Sequence, residues 1–230
     1  MGKIRLPQGI GMEISQACNR HCWYCPQSTV PKKQKIVSDP MWELFLCRLR
    51  EYHWKGVTTL HLYNELSIIP NSEKYVKNLA ELGTYPYLFS NGDKPDIVEK
   101  WIQSGAFRVR ITEHPPFNPL WVKNIEPIVK KYPQKIQLQR LQPNQLGHHA
   151  GKIKSIKPNP LTACYSSSAI NLNCDGQAVL CCADFDYEYN FGNITNSNFG
   201  TIWKNMQSVK KSNELGVPAT KLCNNCYHPL

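Results

Sequence analysis

Cys18-Asn19-Arg20-His21-Cys22-Trp23-Tyr24-Cys25 directly follows Gly9 to Ser15, a run with the composition of a first β-strand. The C-x3-C-x2-C spacing offers three thiolates, one fewer than the four that close a [4Fe–4S] cube. A cube held this way leaves one iron open to a small molecule, as an open position on zinc admits water. A structural zinc knuckle would need a fourth ligand close by, and His21 lies inside the loop, badly placed to serve. The spacing and the preceding strand favour a catalytic cluster over a zinc knuckle.

Outward from this loop, short apolar strands alternate with helical periods, the pattern of a parallel sheet wrapped by helices. Asp39-Pro40 reads as the N-cap and first-turn proline of a helix through Leu44, Phe45 and Leu49. Further strands are expected at Val57 to Tyr63, Tyr85 to Ser90, Phe107 to Thr112 and Ile136 to Leu141. Between them Tyr75, Val76, Leu79 and Leu82, then Ile97, Val98, Trp101 and Ile102, fall at helical spacing, and Gly83 and Gly105 supply the stops. Leu120 to Lys131 also reads as helix, with Pro127 expected to kink or split it. The expected fold class is α/β, a partial, open β/α barrel of about five parallel strands.

The chain has 230 residues, 41% of them hydrophobic and 19% charged, which suits a globular enzyme and not a disordered chain. No apolar run approaches the roughly 18 residues of a membrane span, and Met1 to Arg5 lacks the apolar core of a signal peptide. Ten cysteines without a secretion signal point to metal ligation in a reducing compartment, so a cytoplasmic location is expected. The net charge of +10 gathers in lysine groups such as Lys32, Lys33 and Lys35, and Lys152, Lys154 and Lys157. These read as solvated faces. No nucleic-acid module accompanies them, so no nucleic-acid partner is expected.

From about Asn144 the composition changes, through Gly147-His148-His149-Ala150-Gly151 to a lysine- and proline-rich linker ending at Pro160. The expected division is residues 1–150 for the barrel and 151–230 for a small appendage, itself a β-hairpin and helix unit. Ile170 to Asn173 and Ala178 to Cys182 read as the hairpin, turned at Asp175-Gly176. Cys181 and Cys182 are adjacent, so on a strand their side chains point to opposite faces. Either could be a ligand; the spacing from Gly176 favours Cys181, and Cys182 would then be buried apart or line the cavity. Cys47 reads as a core residue and Cys174 as a spare thiol.

The cysteine loop, its strand context and these downstream features resemble the radical S-adenosylmethionine enzymes. The resemblance implies a [4Fe–4S] cluster on Cys18, Cys22 and Cys25 whose open iron binds the amino and carboxylate groups of S-adenosylmethionine. The reduced cluster of that family cleaves the cofactor to a 5′-deoxyadenosyl radical that abstracts a substrate hydrogen. Tyr24 takes the family's aromatic position beside adenine. Tyr63-Asn64-Glu65 is similar to the family's Gly-Gly-Glu segment, without the glycines, and implies that Asn64 and Glu65 hold the cofactor's amino group. Ser90 and Asn91 after the third strand, and Thr112 ending the fourth, complete the implied cofactor contacts.

Cys164, eleven residues, Gly176, four residues and Cys181 match the opening of the family's cluster-binding appendage, and Cys223-x2-Cys226 completes four ligands. This implies a second [4Fe–4S] cluster on Cys164, Cys181, Cys223 and Cys226, in the abbreviated "twitch" form of the longer "SPASM" appendage; structural zinc is the competing reading. His114, His149 and Asp184 are the candidate substrate contacts and proton acceptors. The implied activity is oxidation of a secondary alcohol on a small sugar- or cyclitol-like molecule, with an external donor such as flavodoxin or ferredoxin supplying electrons. The alternative is modification of a short peptide by crosslinking or epimerisation, with Cys182 or Cys47 returning a hydrogen atom.

Overall fold

A computed structural model of the chain describes residues 6–29, 34–142, 146, 149–154, 164 and 168–227. Most of the expected linker up to Pro160 lies outside the described residues, as do Lys32, Lys33, Gly147 and His148.

The barrel strands are β1 (Gly9–Met12), β2 (Val57–Thr59), β3 (Tyr85–Ser90), β4 (Arg108–Glu113) and β5 (Ile136–Arg140). The helices among them are the short α1 (Pro26–Thr29), α2 (Asp39–Glu51), α3 (Glu73–Glu81), α4 (Pro95–Gln103) and α5 (Pro119–Lys131). Beyond them lie β6 (Ile170–Leu172), β7 (Ala178–Val179), α6 (Phe199–Glu214) and α7 (Lys221–Tyr227). Among the described residues one sheet of order β5-β4-β3-β2-β1-β6-β7 holds every named strand, parallel except for β7, and it does not close. The open α/β architecture is the expected one. The hairpin also forms where expected, at Gly176 with φ 75°, but its first strand pairs with β1 and extends the barrel sheet.

Alternation along β3 and β4 explains the layering. Leu88, Val109 and Ile111 are buried in one core with Val98 and Trp101 of α4, while Tyr87, Phe89 and Arg110, half-buried, alternate onto the other face. There the Arg110 guanidinium lies 5.6 Å from both ring centroids. At the centre, a side chain at Gly11 would strike Thr59 of β2 and approach Asn171 of β6 at 3.4 Å, so only glycine lets three strands lie flush.

Several boundaries move for local reasons. The N-cap of α2 is Ser38, whose hydroxyl accepts from the Met41 amide at 3.4 Å, and Asp39 is already helical. Pro127 does not split α5, because Trp121, Ile125 and Ile128 bury a continuous stripe while Pro127 faces solvent. β2 stops at Thr59 because the Asn64 side chain closes a turn, accepting from Leu62 N–H at 3.2 Å and donating to the Leu60 carbonyl at 3.0 Å. β1 stops at Met12, and Ser15 forms an isolated antiparallel bridge with Ile36. Cys47 is exposed on α2 and not a core residue, whereas Cys174 is buried.

Candidate active site

The cysteine loop leaves the C-terminal end of β1, where loops of a parallel sheet converge. It is tightly turned: Cys25 N–H donates to Cys22 O at 2.9 Å, and the Ser28 hydroxyl donates to the same carbonyl at 2.7 Å. Burial pushes the Cys18 thiol up to about 11 and raises Cys25 as well. Thiols in such surroundings ionise only when a metal compensates the charge. Among the described residues no three Cys, His, Asp or Glu side chains converge as one metal ion requires. Three thiols on one tight loop could hold three irons of a cube and leave the fourth open.

A clamp joins this loop to the end of β3. The Arg20 guanidinium ion-pairs with Asp93, with Nε to Oδ2 at 2.8 Å, and Asn19 donates to the same carboxylate at 2.8 Å. Asn91 in turn donates to the Asn19 side chain at 2.9 Å, and its carbonyl accepts from Trp121 Nε1 at 2.7 Å. Burial would raise the Asp93 carboxyl, but Arg20 and Asn19 outweigh it and hold the group below its ordinary value. Glu65 is buried beside this clamp. Its carboxylate accepts from Asn91 N–H at 2.7 Å, the Ser90 hydroxyl at 3.0 Å and Ser67 N–H at 3.1 Å. Burial raises its pKa, these donors work against the rise, and an arriving ammonium group would favour the carboxylate further.

These elements enclose a cavity of about 320 Å³. Its walls bring together Cys18, Cys22, Cys25, Tyr24, Asn64, Glu65, Ser90, Asn91, Thr112, His114 and His149. Asp184 is not among the lining residues. Its carboxylate is turned inward and accepts from the amides of Leu180, Glu188 and Tyr189 at 3.4, 2.9 and 3.2 Å, fixing the loop after β7. Arg20, His61, Tyr63 and Phe89, none of them expected as site residues, also line the cavity, as does Cys182, the candidate hydrogen donor. His61 continues the two-residue period of Val57 and Thr59, so strand alternation was the signal that could have found it.

The two foreseen histidines differ. Tyr24 Oη and His114 Nδ1 lie 2.6 Å apart, and the two rings stack with centroids at 6.1 Å. Burial, then the charge of Arg20, pushes His114 down to about 4, so its imidazole is neutral near pH 7. His149 sits in left-handed backbone at φ 48°, half-buried, with its ring 6.0 Å from that of Tyr63. The Tyr63 hydroxyl donates to the Cys182 carbonyl.

Behind Cys182 the other cysteines gather. Cys181 and Cys223 are buried together, and Cys164 and Cys226 pack against them with Leu180 and Tyr189. β7 ends at Val179, so Cys181 and Cys182 lie beyond the strand, and Cys182 is exposed and lines the cavity while Cys181 is buried. Sulfur acceptors already meet donors here: Thr220 Oγ1 lies 3.1 Å and Asn213 Nδ2 3.5 Å from Cys223 Sγ, and Ala183 N–H donates to Cys181 Sγ at 3.4 Å. Burial raises the Cys181 thiol well above its ordinary value and Cys226 to about 11. Four cysteines packed together match in number the thiolates that close a cluster.

Residues 164–227 match the SPASM family, an iron–sulfur cluster-binding domain. Across 94% of this chain and 91% of the relative, the sequence is 25% identical to the S-adenosyl-L-methionine-dependent 2-deoxy-scyllo-inosamine dehydrogenase of Niallia circulans. The fold is similar to that of BtrN crystallised with AdoMet and 2-DOIA, at a TM-score of 0.87 and 21% identity over 98% of this chain and 95% of that one. BtrN in an open conformation follows at 0.73 and 22% identity, over 97% and 94%. anSMEcpe with bound AdoMet gives 0.67 at 12% identity, over 90% and 80%.

Proposed function

We propose that this chain is a radical S-adenosylmethionine oxidoreductase that oxidises a secondary alcohol of a small, aminocyclitol-like molecule. The observation that carries the reading is the single cavity bounded by Cys18, Cys22 and Cys25 on one side and by His149 and Cys182 on the other. The similarity to a dehydrogenase of 2-deoxy-scyllo-inosamine over nearly the whole chain supports the substrate class. One [4Fe–4S] cluster would sit on Cys18, Cys22 and Cys25, and a second on Cys164, Cys181, Cys223 and Cys226. When bound, the first cluster and S-adenosylmethionine supply a 5′-deoxyadenosyl radical that removes a substrate hydrogen, and the second takes up the electron that leaves as the ketone forms.

The protein's own part is binding, orientation and proton transfer. Glu65 and Asn64 receive the cofactor's amino group, and the surrounding amide and hydroxyl donors keep the Glu65 carboxylate aimed. Ser90, Asn91 and Thr112 face the ribose and carboxylate, and Tyr24 faces adenine. With Tyr24 donating to Nδ1, neutral His114 offers its Nε2–H to a ligand oxygen. His149 stands at the cavity wall to take the alcohol proton.

The division at residues 150 and 151 is one of task, with cofactor chemistry before it and electron uptake after it. Among the described residues no helix is long and apolar enough to cross a membrane. The thiol-rich sites suit a reducing cytoplasm, with an external flavodoxin- or ferredoxin-like donor. One observation favours a second outcome: the Cys182 thiol faces the cavity, where it could return a hydrogen atom to a substrate carbon and so epimerise it.

Anaerobic reconstitution tests the reading. We expect about eight irons per chain, release of 5′-deoxyadenosine, and a ketone from 2-deoxy-scyllo-inosamine or a related alcohol. Stoichiometric zinc with no deoxyadenosine would overturn it. Solvent deuterium at a substrate carbon would select the epimerising outcome.

A further inference from the structure

Glu13 follows β1, has no exposed surface, and enters no step proposed above. A buried carboxylate is costly unless donors satisfy it, and those donors come from two parts of the chain. Oε1 accepts the Tyr63 amide at 3.2 Å, immediately before Asn64 and Glu65. Oε2 accepts the Tyr187 hydroxyl at 2.5 Å, and Gln16 Nε2 and the Cys174 thiol lie at 3.4 and 3.9 Å. Tyr187 belongs to the loop after Cys181, which the Asp184 carboxylate makes stiff. Burial, then the charge of Glu13, raises the Tyr187 pKa, so the phenol stays a donor. A second link runs in parallel, from the Tyr63 hydroxyl to the Cys182 carbonyl.

We propose that Glu13 is a positioning residue that couples the loop carrying Cys181 to the Tyr63–Glu65 segment. The idea rests on the proposed function only for the meaning of the two ends. The bonds themselves are independent of it. Because the two oxygens of one rigid carboxylate hold the two segments, displacing Tyr187 swings or uncouples the acceptor of the Tyr63 amide. Placement of the auxiliary-cluster loop is thereby transmitted to the cofactor's amino end.

Hydrogen exchange of the reconstituted chain, without reductant or substrate, tests the coupling without any activity. A Tyr187→Phe variant should exchange more than about tenfold faster both at Tyr63 and in residues 180–189, the factor for losing a hydrogen bond to a charged group worth about 1.5 kcal/mol or more. Amides of α3 and α5 serve as the control and should be unchanged. Acceleration confined to 180–189 would overturn the proposal. In the reconstituted enzyme, Glu13→Gln and Tyr187→Phe should each lower ketone formed per deoxyadenosine released while iron content holds. An unchanged ratio in both would also overturn it. An unaltered chain that makes no ketone would sink the proposed function and leave the exchange result to decide the role of Glu13.

Discussion

Tyr24 and His114, 90 residues apart, meet at 2.6 Å between Oη and Nδ1 and join the cysteine loop to the end of β4. The bond closes one wall of the cavity, and it forms on an imidazole that burial keeps neutral.

This neutrality makes stability sensitive to acid. His114 and His61 are both pushed down to about 4, largely by burial, whereas an unfolded histidine titrates near 6.5. Between those values the unfolded chain binds more protons than the folded one, so stability rises with pH and is fully present above about 6.5. It should fall as pH drops from 6.5 towards 4, by up to about 3 kcal/mol per imidazole. Urea midpoints at pH 7.5 and 5 check this. A His114→Gln variant should lose less stability between the two than the unaltered chain.

The two cysteine groups should separate in function. Replacing Cys18, Cys22 and Cys25 by alanine should abolish deoxyadenosine release, since no iron could then present an open site. Replacing Cys223 and Cys226 should lower iron from about eight to about four per chain, leave some release, and stop ketone formation. Iron counts and product analysis on the same preparations provide the check. Normal ketone formation in the second variant would make that cluster structural.

His149→Ala should keep uncoupled deoxyadenosine release while substrate turnover falls roughly a hundredfold, within the range for a lost general base. Undiminished turnover would show that the alcohol proton leaves by another route.

Gly11→Ala should destabilise the chain by about 1–3 kcal/mol or more, because the added methyl strikes Thr59 between hydrogen-bonded strands. Denaturant midpoints measure the loss. A change below about 0.5 kcal/mol would mean that β1 and β2 separate easily.

The strands, the helices and the two groupings of cysteines were legible because each leaves a local mark: a period, a cap, a spacing. Cys181 and Cys182 do part, one buried and one at the cavity, but in the loop beyond Val179 and not, as expected, on a strand. What stayed hidden depended on contacts between distant segments. Arg20 carries no mark of a role in the sequence, and only the fold brings Asp93 to it from beyond the end of β3. Asp184 looked like a cavity residue, yet three neighbouring amides hold it inward. The pairing of β6 with β1 left no trace either, since a three-residue strand carries no address for its partner.

That last pairing sets the order in which the protein can be completed during synthesis. Ser168, just before β6, donates to Gln8, just before β1, across 160 residues. Until β6 emerges from the ribosome, β1 has an open edge at the centre of the future sheet, and closing it is a contact of very high sequence separation. A nascent chain stalled before residue 170 would carry that edge as a template for strand pairing with other copies. Expression of residues 1–150 alone should therefore give aggregates. The C-terminal segment acts as the late-arriving guard of the first strand.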